Sequence, residues 1–148
     1  MIRRSMFLVM LMFMIVLIGS FAVVLAASNT IPPSGASNHT YPITPNDLKP
    51  PQCAGINLTN LVAGSGKLDG TSGNDLILGS NKHDALNGLG GNDCLLSGDG
   101  ADNLSGGDGD DVIIGGNGSD QIDGGPGNDT CFGGGGNDHV SNCESWVP

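Results

Sequence analysis

An all-β fold, a solenoid of short parallel strands around one thin core, is what this sequence predicts, on three observations. A nine-residue unit repeats eight times without insertion, starting at Gly70, Gly79, Gly88, Ser97, Gly106, Gly115, Gly124 and Gly133 and ending at Ser141. Its sixth position is always aspartate: Asp75, Asp84, Asp93, Asp102, Asp111, Asp120, Asp129 and Asp138. Its eighth is always able to enter an apolar core: Ile77, Leu86, Leu95, Leu104, Ile113, Ile122, Cys131 and Val140. Acidic, Gly-rich sequence with 4% aromatic residues ordinarily stays disordered. Disorder gives no reason to hold register through eight units, so the period decides the reading.

The chain reaches this array in stages. Met1–Ser5 is basic and Met6–Leu25 almost wholly apolar, followed by small residues around Val24-Leu25-Ala26. Residues 1–27 read as a signal peptide or, uncleaved, as a membrane anchor, since about 20 apolar residues can span a bilayer. Either way the arginines stay inside and the chain after Ala27 goes out, which makes the protein extracellular, secreted or held at the cell surface. Residues 28–52 hold six of the eight prolines and no apolar period, the composition of a solvated linker. Residues 53–69 form an N-terminal cap, in which Leu61–Asp69 is a decayed unit: Leu68 faces inward, and Gly66 replaces the aspartate. The repeats occupy 70–141, and residues 142–148, with Trp146, cap the other end.

Each unit reads Gly-Gly-x-Gly-x-Asp-x-apolar-x. The first six residues suit a tight turn, and the last three alternate out, in, out as a short strand does. Two units close one 18-residue coil, and coils stack as parallel strands about 4.8 Å apart. Stacking aligns Asp75, Asp93, Asp111 and Asp129 in one column and Asp84, Asp102, Asp120 and Asp138 in another. A core of eight modest side chains is too small to order so glycine-rich a chain and offset that repulsion, so a cation must bind between turns. Carboxylates and loop carbonyls offer six to eight hard oxygen ligands at about 2.3–2.6 Å, which suits Ca2+ better than the tight octahedron of Mg2+.

The unit resembles the RTX (haemolysin-type) calcium-binding nonapeptide, most clearly at Gly106–Ile114, Gly115–Asp123 and Gly124–Asp129. The resemblance covers about half the chain. It implies a right-handed parallel β-roll, with Ca2+ held between a turn and the turn two repeats on by position-six aspartates and loop carbonyls. Six inter-turn sites result. The pairs 93/111, 102/120, 111/129 and 120/138 are expected to be strong. Thr71, Ser80 and Leu89 at the second position and Lys82 at the fourth depart from the pattern, so 75/93 and 84/102 are expected to be weak. Many members carry a protease, lipase or toxin domain and leave by a C-terminal signal. No such domain appears here, and the export signal is N-terminal.

Cys53, Cys94, Cys131 and Cys143 in an exported chain favour two disulfides, with three possible pairings. Cys131 points inward and Cys143 lies just past the last strand, so these two could clamp the C-terminal end, leaving Cys53 with Cys94. No Cys-x-x-Cys suggests zinc. His83 and His139 occupy positions five and seven, which vary freely, and are expected at the surface.

Without its leader the chain has three lysines against fifteen acidic residues, a formal −12, which excludes nucleic acid and anionic lipid as direct partners. A membrane is a partner only if the leader is retained. No nucleophile–base pair, paired glutamates or phosphate loop appears, and no helix pattern follows the glycine strings, so no enzyme is expected. The reading is an exported, non-enzymatic calcium-binding protein. The alternative is a calcium-rigidified structural or adhesive module presenting a surface to another macromolecule. Its candidate surface is the ninth position of the odd repeats, Leu78, Leu96, Ile114 and Phe132, unless the linker or the termini cover it.

Overall fold

The computed structural model describes residues 42–148; the leader and the linker up to residue 41 lie outside the described residues. Pro42–Pro148 form one compact unit. Two parallel sheets face each other, and successive strands alternate between them. The first sheet runs β1 (Asn60–Ala63), β3 (Asp75–Leu78), β5 (Cys94–Asp99), β7 (Val112–Gly118), β9 (Thr130–Gly136) and β11 (Ser145–Val147). The second runs β2 (Lys67–Asp69), β4 (Ala85–Gly90), β6 (Asn103–Asp108), β8 (Gln121–Asp123) and β10 (His139–Ser141). The product is a β-solenoid of about five turns, the architecture that the nine-residue period predicts.

Register follows the repeat. Ile77 pairs with Leu95, Leu95 with Ile113 and Ile113 with Cys131; across the roll, Leu68, Leu86, Leu104, Ile122 and Val140 align in the same way. These eighth-position side chains form the buried core, with Val62, Leu68, Val140 and Cys143 packed at its ends. Leu68 thus occupies the inward place expected of the decayed unit. Trp146 stands in register with Cys131 on the last strand, yet is 54% exposed, because no further coil covers it.

The ordered unit begins earlier than the composition of residues 28–52 suggests. A short helix α1 (Pro45–Leu48) and a 3-10 turn (Pro51–Cys53) precede the first strand. Their prolines sit at helix starts, where a fixed φ helps and a missing N–H costs nothing. The Asn46 side chain donates to the Leu58 carbonyl at 2.7 Å and accepts the Leu58 N–H at 2.9 Å. Lys49 donates to the carbonyls of Ala54 and Ile56. This segment lays Cys53, Ile56 and Leu58 over Leu76, Cys94, Leu78 and Val112 on the outer face of the first sheet, making a second small core.

Disulfides Cys53–Cys94 and Cys131–Cys143 hold the two ends, with Cα–Cα separations of 6.0 Å in both. They close loops of 41 and 12 residues, worth about 4 and 3 kcal/mol by restriction of the unfolded chain.

The turns are of two kinds. At the second repeat position Gly98, Gly107, Gly116, Gly125 and Gly134 have φ between 96° and 108°, and Leu89 is forced to 80° in the same place. Thr71 and Ser80 avoid the left-handed region, as does Lys82 two residues later. The first two turns therefore close differently, and Lys82 carries no left-handed strain. Leu89 is 48% exposed and loses little burial when truncated. Leu89→Gly should stabilise the folded protein by about 0.5–1 kcal/mol, the relief of left-handed strain less the added freedom of the unfolded chain. Denaturant unfolding in millimolar calcium checks this; a destabilised variant would contradict it.

Candidate metal centre

The turns bring the position-six aspartates into two stacks, and seven of the eight are 2% exposed or less; Asp138, at the end, is only partly buried. Each carboxylate divides its work between two oxygens. In six of the eight, Oδ1 accepts the backbone N–H of the aspartate one coil earlier. Asp93 accepts from Asp75 at 2.8 Å, Asp111 from Asp93 at 2.7 Å and Asp129 from Asp111 at 2.8 Å. In the other column Asp102 accepts from Asp84 at 2.8 Å, Asp120 from Asp102 at 2.9 Å and Asp138 from Asp120 at 3.0 Å. Gly66, in the place of the missing aspartate, continues this column by donating its N–H to Asp84 Oδ1.

The second oxygen distinguishes the repeats. In Asp93, Asp102, Asp111, Asp120 and Asp129, Oδ2 is buried with no hydrogen-bond partner. Such an atom is costly unless something positive meets it. In four of these turns Oδ2 shares a cradle with a backbone carbonyl of the next coil. A Cβ added at Gly88, Gly106, Gly115 or Gly124 would overlap both oxygens: Asp93 with Gly106, Asp111 with Gly124, Asp120 with Gly133, and Asp129 with Asn142. At the fifth, the turn opens on Ser97, whose buried hydroxyl donates to the Gly115 carbonyl. Converging carboxylate and carbonyl oxygens at repeated spacing fit a hard cation that prefers oxygen ligands. Among the described residues no three His, Cys, Asp or Glu side chains cluster as a metal site, so backbone carbonyls are essential to any ligand set.

The first two repeats are different in kind. Asp75 Oδ2 accepts the Thr71 N–H, and its Oδ1 accepts from Thr71 Oγ1 at 3.1 Å and from Asn60 Nδ2 at 2.6 Å. Asp84 Oδ2 accepts from the Ser80 N–H at 2.7 Å and from Ser80 Oγ at 2.8 Å. The hydroxyl residues that break the glycine pattern satisfy these carboxylates internally.

Electrostatics separate the same groups. Burial pushes Asp93 up to about 7, against the lowering effect of its bond from the Asp75 N–H, with the charges of Asp111 and Asp75 adding to the rise. Burial likewise pushes Asp111 up to about 6, and Asp129 and Asp110 contribute. Asp120 and Asp129 are raised for the same first reason. At Asp84 burial also acts upward, but donors from Gly66 and Ser80 outweigh it and hold the carboxyl below its ordinary value.

Three contributors carry no nine-residue signal. At position five of the odd repeats, Asn74 Oδ1 accepts the Asn92 N–H, Asn92 Oδ1 the Asp110 N–H and Asp110 Oδ1 the Asn128 N–H, at 2.8–3.0 Å. This ladder repeats every 18 residues, a period visible in the sequence once the coil rather than the unit is counted; position five therefore varies freely only in the even repeats. Asn60 and Glu144 close the odd column, and each is spaced 15 residues from its neighbouring aspartate. His83 and His139 are exposed.

The raised carboxyls set a pH dependence for the chelated protein. Their folded-state values lie above those of the unfolded chain, so the folded form retains protons that the unfolded chain releases. Their stabilising contribution is complete below about pH 4 and is lost as pH rises through 6 and 7. Asp84 acts in the opposite sense, but only below about pH 4. In chelator, acidification from pH 8 to pH 5 should increase β-structure and resistance to denaturant. Far-UV dichroism checks this, and a loss of structure over that range would contradict it.

The family model for the RTX calcium-binding nonapeptide repeat (4 copies) matches twice in succession, over residues 69–104 and 105–140. Comparisons with curated proteins and with solved structures yield no match. The stacked, buried aspartates and the repeat match agree, and residues 69–140 are RTX calcium-binding repeats wound into a parallel β-roll.

Proposed function

We propose that this is an exported, non-enzymatic protein whose folding is driven by Ca2+ bound between turns. Ligands come from the position-six aspartates and the carbonyls they face. The observation that carries the reading is the set of buried carboxylate oxygens without partners, confined to repeats three to seven. Calcium compensates the buried, stacked charge, which burial first and neighbouring carboxylates second make unfavourable in the closed roll. The four strong ions lie at 93/111, 102/120, 111/129 and 120/138. Asp75 and Asp84, already satisfied by Thr71 and Ser80, contribute weak sites. Export is supported by the apolar segment Met6–Leu25 and by the pairing of all four cysteines. A chain that stays expanded at cytosolic calcium and closes at the millimolar calcium outside suits that route, since binding free energy becomes folding free energy.

A second reading, a calcium-rigidified module that presents a surface, is favoured by one observation. Leu78, Leu96, Ile114 and Phe132 are in register along the outer face of the first sheet and remain partly exposed. The segment around Cys53–Leu58 packs against Leu78 at one end of this row.

The purified, disulfide-bonded protein should be expanded and poor in β-structure in chelator at neutral pH, and compact in millimolar calcium. Dichroism and hydrodynamic radius check this. A chelated protein already compact contradicts calcium-driven folding, and equal rescue by magnesium contradicts the choice of ion.

Substitutions should follow the two kinds of turn. Asp111→Ala and Asp120→Ala each remove a charged ligand worth about 1.5–3 kcal/mol, raising half-saturating calcium by about ten- to a hundredfold. Asp75→Ala and Asp84→Ala should have clearly smaller effects. Equal losses in a calorimetric titration of all four variants would show that the stacking assignment is wrong.

A further inference from the structure

The odd column does not end with the repeats. Beyond Asp129 the chain reverses through Asn142, whose φ of 49° is left-handed, and re-enters the first sheet as β11. Glu144 then accepts the Asp129 N–H through Oε2 at 2.7 Å. Within the repeats that bond is made by the Oδ1 of an aspartate 18 residues on. Here the same place is reached in 15, by a side chain one methylene longer.

Glu144 is exposed, but its neighbours in the chain are anchored. Cys143 is tied to Cys131 in the core, and the Ser145 N–H donates to the Asp129 carbonyl at 3.0 Å. The Asn142 side chain donates to Asp123 Oδ1 at 2.7 Å, which fixes the peptide whose carbonyl meets Asp129. The independent pointer to a ligand is Asp129 itself. It is 1% exposed, and its Oδ2 is without a partner and lies, with the Asn142 carbonyl, beside Gly124, where a Cβ would overlap both. This is the carboxylate–carbonyl cradle of the repeat turns, built here with Asn142 and Glu144, which lie beyond the residues that match the repeat. The other column has no counterpart: Asp138 is partly buried, and its Oδ2 is not among the partnerless buried oxygens.

We propose that Asp129, the Asn142 carbonyl and Glu144 form a further Ca2+ site, closed by the Cys131–Cys143 disulfide, at the C-terminal end of the odd column. The inference rests on the calcium reading above. Asp129 Oδ2 and the Asn142 carbonyl provide the inner ligands, Glu144 provides charge from the solvent side, and water completes the shell. The chain then carries five strong ions rather than four, and the fifth sits where the disulfide holds the last strand onto the roll.

The test is calcium calorimetry on the disulfide-bonded protein and two variants, with dichroism in saturating calcium to confirm folding. Glu144→Gln keeps an oxygen to accept the Asp129 N–H but removes the charge. It should bind four strong ions where the parent binds five, with those four unchanged in affinity. Glu144→Asp keeps the charge on a shorter arm and should bind the fifth ion about tenfold more weakly, a change of about 1.4 kcal/mol. If both variants match the parent in number and affinity of ions, the Glu144 site is wrong and the calcium reading stands. If the parent binds no calcium, the calcium reading itself fails. Should Glu144→Gln not fold in calcium, Glu144→Asp alone decides: unchanged affinities overturn the site.

Discussion

Everything in this molecule depends on stacking aspartates directly above one another in a buried turn. Each carboxylate must serve the backbone of the coil before it and also meet a neighbouring coil that carries the same charge. One oxygen serves the backbone. Oδ1 accepts the N–H of the preceding aspartate, through six such links from Asp75 to Asp129 and from Asp84 to Asp138. The other oxygen, in repeats three to seven, is left buried without a partner, and in four of them it lies near a carbonyl of the next coil. The same carboxylates thus tie the coils together with one oxygen and, in repeats three to seven, leave the other without a donor. Stacking of the coils and stacking of the carboxylate charge therefore cannot be separated in the roll.

The repeat is nine residues long, but the structural unit is the coil of eighteen. The two edges of the roll differ for that reason. The odd edge carries the Asn/Asp ladder at position five, the apolar row at position nine, both disulfides and both end residues, Asn60 and Glu144. The even edge carries Gly66 at its start and ends at Asp138. The added structural devices thus gather on one side. Cys53, Ile56 and Leu58 cover part of that side and leave Leu96, Ile114 and Phe132 partly exposed.

The array is also graded along its length. Thr71 and Ser80 turn the first two carboxylates into self-contained hydroxyl turns. They abut the end where the packing of Asn46, Leu58 and the Cys53–Cys94 disulfide supplies order of its own. The middle and C-terminal repeats have glycine turns and partnerless oxygens.

The order of residues is enough to dictate the repeating parts: the strand positions, the inward row from Ile77 to Val140, the two aspartate columns and the inward Leu68 of the decayed unit. These are local properties, repeated often enough that a wrong register would misplace every side chain at once. Composition misleads over residues 42–52, because prolines that start helices look like those of a linker. Packing between coils selects which carboxylate oxygen is left without a donor, lets Thr71 and Ser80 satisfy their own aspartates, and has Asn60 and Glu144 close a column at a spacing of 15. None of these is written in the nine-residue period, since each arises between coils or at an end, where the repeat stops and the chain can take a shorter path to the same place. A period predicts what recurs; the ends of a solenoid are set by what packs against its last coil.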